Sequence, residues 1–123
     1  MPAQPIVHIE IPAANPHTSS NFYTAVFGWE KVVSPGFEEY PMFRAEGGPA
    51  GGFTTAGSGH GPYRYTIGEV LIYLASSDID ADLQRVQEHG GQIILSKTEI
   101  PGVGYWAIFQ DPAGNKLGLF SNL

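Results

Sequence analysis

Three side chains in this sequence have the chemistry to move a proton or to hold a ligand's polar group: His8, Glu10 and Glu69. His8 and Glu10 lie in the run Ile6 to Pro12, where Val7, Ile9 and Ile11 alternate with His8, Glu10 and Pro12. Alternation with that period describes a strand with one apolar and one polar face, so the two polar side chains share a face. Glu69 opens a second alternating run, Glu69, Leu71 and Tyr73 against Val70, Ile72 and Leu74. With both runs lining one cavity, His8, Glu10 and Glu69 all project into it as the catalytic candidates. A carboxyl group between apolar walls has a raised pKa, and one beside a histidine has a lowered pKa; either shift suits an acid or base. Two quieter roles fit the same residues. The trio can orient the polar groups of a bound molecule, or His8 can be structural, hydrogen-bonded to Glu10 or Glu69. Of the other histidines, His17 suits a surface, His60 sits in a glycine-rich loop, and His89 suits the last turn of a helix, where positive charge is favoured.

The elements that must position these residues occur twice. Ile6 to Trp29 and Glu69 to Gly91 each read as a strand, a polar cap and a helix that stops at a glycine, Gly28 or Gly90. Asn15 followed by Pro16, and Ser77 followed by Asp78, are helix-start pairs. Phe22, Tyr23, Val26 and Phe27 share a stripe expected to pack on the first strand, and Ile79, Leu83 and Val86 form the expected buried stripe of the second helix. Three short strands follow each helix. The last two are joined through Asp111-Pro112-Ala113-Gly114, a type I turn sequence. Each half therefore reads β-α-β-β-β, an α+β class, with units at about residues 5–56 and 68–121. Ala56 to Gly61 is expected to be a flexible connecting loop. Neither half would bury much alone, so residues 1–123 are read as a single domain. Tyr40, Phe53, Tyr73, Trp106 and Phe120 are the expected ligand-binding walls, with core packing as the alternative role for each.

Composition removes several function classes. The 123 residues carry 12 acidic against 6 basic side chains, a net charge of −6, with no basic cluster. Nucleic acid and anionic membrane are poor partners for such a chain. There is no cysteine, which removes disulfides, thiolate metal sites and cysteine nucleophiles. No apolar run approaches the length that spans a bilayer, and the N-terminus lacks an export pattern, so a cytoplasmic location is the default expectation. A small-molecule ligand remains the expected partner.

Phe22-Tyr23, Phe27-Gly28-Trp29, Asp78-Ile79-Asp80, His89-Gly90-Gly91 and Asp111-Pro112-Ala113-Gly114-Asn115, in this order, resemble the vicinal oxygen chelate superfamily. Its members include glyoxalase I, fosfomycin-resistance and bleomycin-binding proteins and extradiol dioxygenases. The resemblance covers nearly the whole chain and is nearest to small glyoxalase-related proteins. It implies two βαβββ units whose curled mixed sheets enclose a cavity, with helices outside, and a homodimer.

The resemblance also implies where a metal would bind. Metal-dependent members place His or Glu on the first and last strand of each unit, and the metal acts as a Lewis acid on neighbouring substrate oxygens. His8 and Glu69 match two of these positions. The third falls near Gly52 or Phe53 and the fourth at Gly118, none of which can ligate through a side chain. Catalytic zinc sites use three protein ligands and structural ones four, so His8 and Glu69 alone make an incomplete site, with Glu10 as the candidate third ligand. The cofactor that the resemblance implies, where one binds, is a divalent Zn, Ni, Mn or Fe. The implied function is a glyoxalase-like lyase or isomerase acting on a small oxygenated metabolite. The alternative is a metal-free protein that binds or sequesters a small molecule, of the bleomycin-resistance type. Turnover of the methylglyoxal–glutathione hemithioacetal is not expected.

Overall fold

The computed structural model describes residues 2–123. The chain runs β1 (Ile6–Ala13), α1 (Pro16–Phe27), β2 (Glu30–Val32), β3 (Met42–Arg44), β4 (Ala50–Thr55), β5 (Gly59–His60), β6 (Tyr63–Arg64), β7 (Leu71–Ala75), α2 (Ile79–Glu88), β8 (Gln92–Ile100), β9 (Gly104–Gln110) and β10 (Lys116–Asn122). Two compact units emerge. The N-terminal unit holds His8–Gly59 and Arg64–Val70; the C-terminal unit holds the chain up to Val7, His60–Tyr63 and Leu71–Leu123.

The two units have one topology. Strand order is β2-β3-β4-β1 in the first and β8-β9-β10-β7 in the second. The opening strand of each lies parallel to the closing strand, β1 with β4 and β7 with β10, while the later strands pair antiparallel. That pattern follows from connection length. The later strands are linked by turns and loops, whereas a parallel partner requires a longer crossover, which includes the helix. The chain is α+β with mixed sheets.

Local sequence fixes both helices. Asn15 Oδ1 accepts from the N–H groups of His17 and Thr18 at 3.1 and 3.2 Å, and Gly28, at φ 73°, closes α1. Asp78 Oδ1 accepts from Ala81 N at 3.1 Å to start α2. The helices differ in how they pack. In α2 the stripe Ile79 and Leu83 is buried against Ala107 and Leu119 as expected. In α1 the inward residues are Pro16, Ser20 and Tyr23, and Phe22, Val26 and Phe27 are 54, 56 and 63% exposed. The expected stripe is therefore corrected. Only Tyr23 of it turns inward, stacked on Trp29 at 4.7 Å and 5.6 Å from the ring of Phe53. Trp29 stacks in turn on Phe43 at 4.2 Å, so aromatic rings make the N-terminal core.

Two further expectations change. The stretch 56–61 is not simply a loop: β5 lies within it and pairs with β6, with Tyr65 N donating to Ser58 O at 2.8 Å. The second alternating run starts at Leu71, because Thr66 to Glu69 forms a turn closed by Glu69 N donating to Thr66 O at 3.0 Å, with Gly68 at φ 93°.

Candidate functional site

The register of β1 against β4 builds the candidate site in the N-terminal unit. His8, Glu10 and Pro12 lie beside Ala50, Gly52 and Thr54, and neighbouring partners in a ladder point to the same side. The other side of the same strands carries Ile9, Ile11, Gly51 and Phe53 towards α1. Phe53 is thus corrected from cavity wall to core. It is 0% exposed and lies between Tyr23 and Phe43, because an odd-numbered residue of β4 faces the helix.

Tyr40 joins the two catalytic candidates on β1. Its phenol donates to Glu10 Oε2 at 2.8 Å, and its oxygen lies 2.6 Å from His8 Nε2. A phenol has one proton, so the arrangement that satisfies both contacts has His8 Nε2–H donating to Tyr40 and Tyr40 donating to Glu10. Electrostatics agree with that order. Burial pushes the His8 imidazole below its usual 6.5, favouring the neutral ring. Burial, and then the Glu10 carboxyl beside it, push the Tyr40 phenol well above 10. Tyr40 therefore stays protonated and His8 stays uncharged near neutral pH.

A stability consequence follows from His8. Its folded pKa lies below the unfolded value, so its contribution is whole above pH 6.5 and drains as pH falls below 6.5 through the lowered value. Urea midpoints measured from pH 7.5 to 4.5 are expected to fall less steeply for His8→Gln than for the natural chain. Parallel curves would refute the assignment of a depressed His8.

A cavity of about 550 Å³ opens beside Glu10, within the range of small-molecule pockets. Its walls are Glu10, Gly36, Phe37, Glu38, Glu39, Tyr40, Thr54, Thr55, Ser58 and Tyr65. Glu10 is 7% exposed, a carboxyl group set into the wall. Of the expected site residues, Glu10 and Tyr40 line this cavity, and His8 reaches it through Tyr40. Glu69 does not line it: the Thr66–Glu69 turn leaves its side chain exposed, outside any strand, so the expected inward carboxylate at 69 is corrected. Tyr73, Trp106 and Phe120 belong to the C-terminal unit. Tyr73 and Trp106 are buried with ring centroids 6.4 Å apart, and Phe120 pairs with Trp106 across the sheet. None of the three borders this cavity.

Sequence reasoning missed Thr54, Glu38, Glu39 and Tyr65. Thr54 was legible, since it stands two residues beyond Gly52 on the face of Glu10. The other three sit in loops, where no periodicity points to a direction.

A second cavity, about 370 Å³, lies in the C-terminal unit beside Asp82. There Gln4 Nε2 and Ser76 Oγ donate to Asp82 Oδ2 at 2.8 and 2.6 Å, and Arg85 pairs with Oδ1. This buried carboxylate is fully engaged in tying the N-terminal segment to α2, which is a structural task.

The residues present do not fit the implied metal. Gly52 and Gly118 stand where ligands are called for, and the space their side chains would need is filled. A Cβ on Gly52 would strike the Tyr40 ring, and one on Gly118 the Tyr73 ring. His8 Nε2 already faces the Tyr40 phenol. Among the described residues, no three His, Asp or Glu side chains converge to hold an ion. A tyrosine ring thus covers a glycine in each unit, reaching Gly52 from the loop before β3 and Gly118 from the neighbouring strand β7.

Comparisons with known proteins give the family. Anthracycline biosynthesis protein DnrV of Streptomyces peucetius is 34% identical over 107 residues, covering 78% of this chain and 39% of that protein. The chain therefore spans about two fifths of the length of this relative. Among solved structures, a protein from Legionella pneumophila described as NAD-dependent benzaldehyde dehydrogenase superposes with a TM-score of 0.72 at 18% identity, covering 94% of this chain and 98% of that one. A glyoxalase/bleomycin resistance protein/dioxygenase superfamily member from Vibrio splendidus 12B01 gives 0.67 at 20% identity, covering 98% and 100%. At such identities the likeness establishes the fold alone. No helix among the described residues is long and apolar enough to cross a membrane. The family model of the glyoxalase/bleomycin resistance protein/dioxygenase superfamily matches residues 5–119, and the chain belongs to that superfamily.

Proposed function

We propose that the protein is a metal-free acid–base catalyst of the isomerase or lyase kind, acting on a small oxygenated metabolite in the cavity beside Glu10. One observation carries this reading: a buried carboxyl group in a cavity wall, held by the phenol of Tyr40, which is itself held by His8. In this reading the Glu10 carboxylate takes a proton from a carbon next to a substrate carbonyl and returns it to a neighbouring position. Tyr40 fixes the carboxylate by donating to Oε2. Neutral His8 fixes the phenol, and as a positioning residue it carries no charge into the site.

The similarity to a protein named for anthracycline biosynthesis supports a small organic metabolite as the substrate. The second reading, a binding or sequestering protein, draws on the same cavity without the proton transfer.

The test is hydrogen exchange. Chelator-treated protein is incubated in D₂O with a panel of small hydroxyketones and 1,3-dicarbonyl compounds, and loss of the α C–H signal is followed by proton NMR. Catalysed exchange is expected without added metal, with Glu10→Gln slower by about 100-fold or more, as general bases contribute. Exchange that appears only on adding Zn, Ni, Mn or Fe would sink the reading. Binding without exchange for the whole panel would favour the sequestering alternative.

A further inference from the structure

We infer that the cavity beside Glu10 takes a small organic cation, a primary ammonium on an aromatic body. The inference rests on that cavity being the functional site. Glu10, Glu38 and Glu39 all border it, and its lining among the described residues includes no Lys, Arg or His. Carboxylates accept and do not donate, so a ligand that meets them must bring donors.

A second, independent observation comes from Thr54. Thr54 belongs to the lining and shares the β1–β4 face with Glu10; the residue is only 4% exposed, and its buried Oγ1 has no hydrogen-bond partner among the described residues. An orphaned buried hydroxyl is costly, and natural folds keep few of them. A ligand N–H lying between Thr54 Oγ1 and the Glu10 carboxylate gives that hydroxyl its partner. An ammonium offers three such donors from one compact charge.

The rest of the lining fits the body of the ligand. Phe37, Tyr40 and Tyr65 present rings, which attract a cation through their faces and pack on an aromatic group. A bare divalent ion is a poorer occupant. Glu38 and Glu39 are exposed loop residues, and no three acidic groups converge on one point. Thr55 and Ser58 add hydroxyls at the border for a ligand's own oxygen atoms.

The experiment uses the ¹⁵N-labelled full chain and three probes of one shape: 2-phenylethylamine, 2-phenylethanol and 3-phenylpropionate. The amine is expected to move the backbone signals of Glu10, Tyr40 and Thr54, binding at least tenfold more tightly than the alcohol. Its affinity is expected to fall as salt rises, because the attraction is partly screened. The double variant Glu38→Gln/Glu39→Gln changes only exposed side chains and is expected to lose several-fold in affinity for the amine. Thr54→Val is expected to bind the amine several-fold more weakly while melting at a higher temperature than the natural chain. Ser20→Ala removes a second orphaned buried hydroxyl among the described residues, on α1 and outside the cavity lining, and is expected to raise the melting temperature with binding unchanged. An alcohol or propionate that binds as tightly as the amine overturns the cation class and leaves the cavity as the site. Silence of all three probes at Glu10, Tyr40 and Thr54 overturns both.

Discussion

Gly52→Glu, the substitution that would restore an acidic side chain where metal-dependent relatives place a ligand, is expected to destabilise the protein by at least about 3 kcal/mol and to create no metal site. Forcing extra atoms into a packed position costs about 1–3 kcal/mol. Here the obstacle is the Tyr40 ring, which the new Cβ would strike directly. The added carboxylate would also sit beside Glu10, its partner across the β1–β4 ladder, and a second buried like charge adds to the cost. Displacing Tyr40 breaks the His8–Tyr40–Glu10 chain as well. Urea unfolding gives the stability, and titration calorimetry with Zn²⁺ gives the affinity. Gly52→Ala isolates the steric part: its cost should shrink in a Tyr40→Ala background, since neighbours in contact are not additive. Micromolar Zn²⁺ binding by Gly52→Glu alone would overturn this account.

Phe53→Ala is expected to cost about 3–5 kcal/mol, the range for emptying a buried phenylalanine. Phe53 has no exposed surface, and its ring is wedged between Tyr23 and Phe43, 5.6 and 5.3 Å away. Phe53→Leu should cost clearly less, because most of the volume is kept. The site faces the other side of β4, so Phe53→Leu should leave binding in the cavity within about twofold, a factor worth under half a kcal/mol. A tenfold loss of binding with unchanged stability would return Phe53 to the cavity wall.

Phe53 also shows what the sequence could and could not reveal. Alternation along Ile6 to Pro12 correctly put His8 and Glu10 on one face, because a strand's period admits no other solution. The same rule applied to β4 separates Phe53 from Gly52 and Thr54, and a choice between those faces needs the partner strand. Glu69 misled for a different reason. Glu69 alternates with Leu71 and Tyr73, but Gly68 at a positive φ belongs to a turn that ends only after Glu69. Hydrophobic pattern alone does not mark where a turn releases the chain into a strand. On α1 the apolar residues at helical spacing were real, yet the inward face is set by Pro16, Ser20 and Tyr23. The helix contains no charged residue, so nothing in the sequence distinguishes its outer side. The helix caps and closing glycines were legible, being local choices of backbone. The acidic loop side chains around the cavity were not, because their direction depends on packing distant in sequence.

The paired tyrosines have an evolutionary consequence. A lineage that swaps a chelating side chain for glycine and lets a ring settle into the gap has made a change that is hard to undo. Reversion at either glycine, taken alone, passes through a crowded and unstable intermediate, so selection removes it before any catalytic gain appears. Return requires the tyrosine to shrink in the same step, and this holds separately in each half of the duplication. Random mutagenesis at one change per gene should therefore recover no metal-dependent revertant, whereas libraries that vary residues 40 and 52 together, or 73 and 118 together, open the route again.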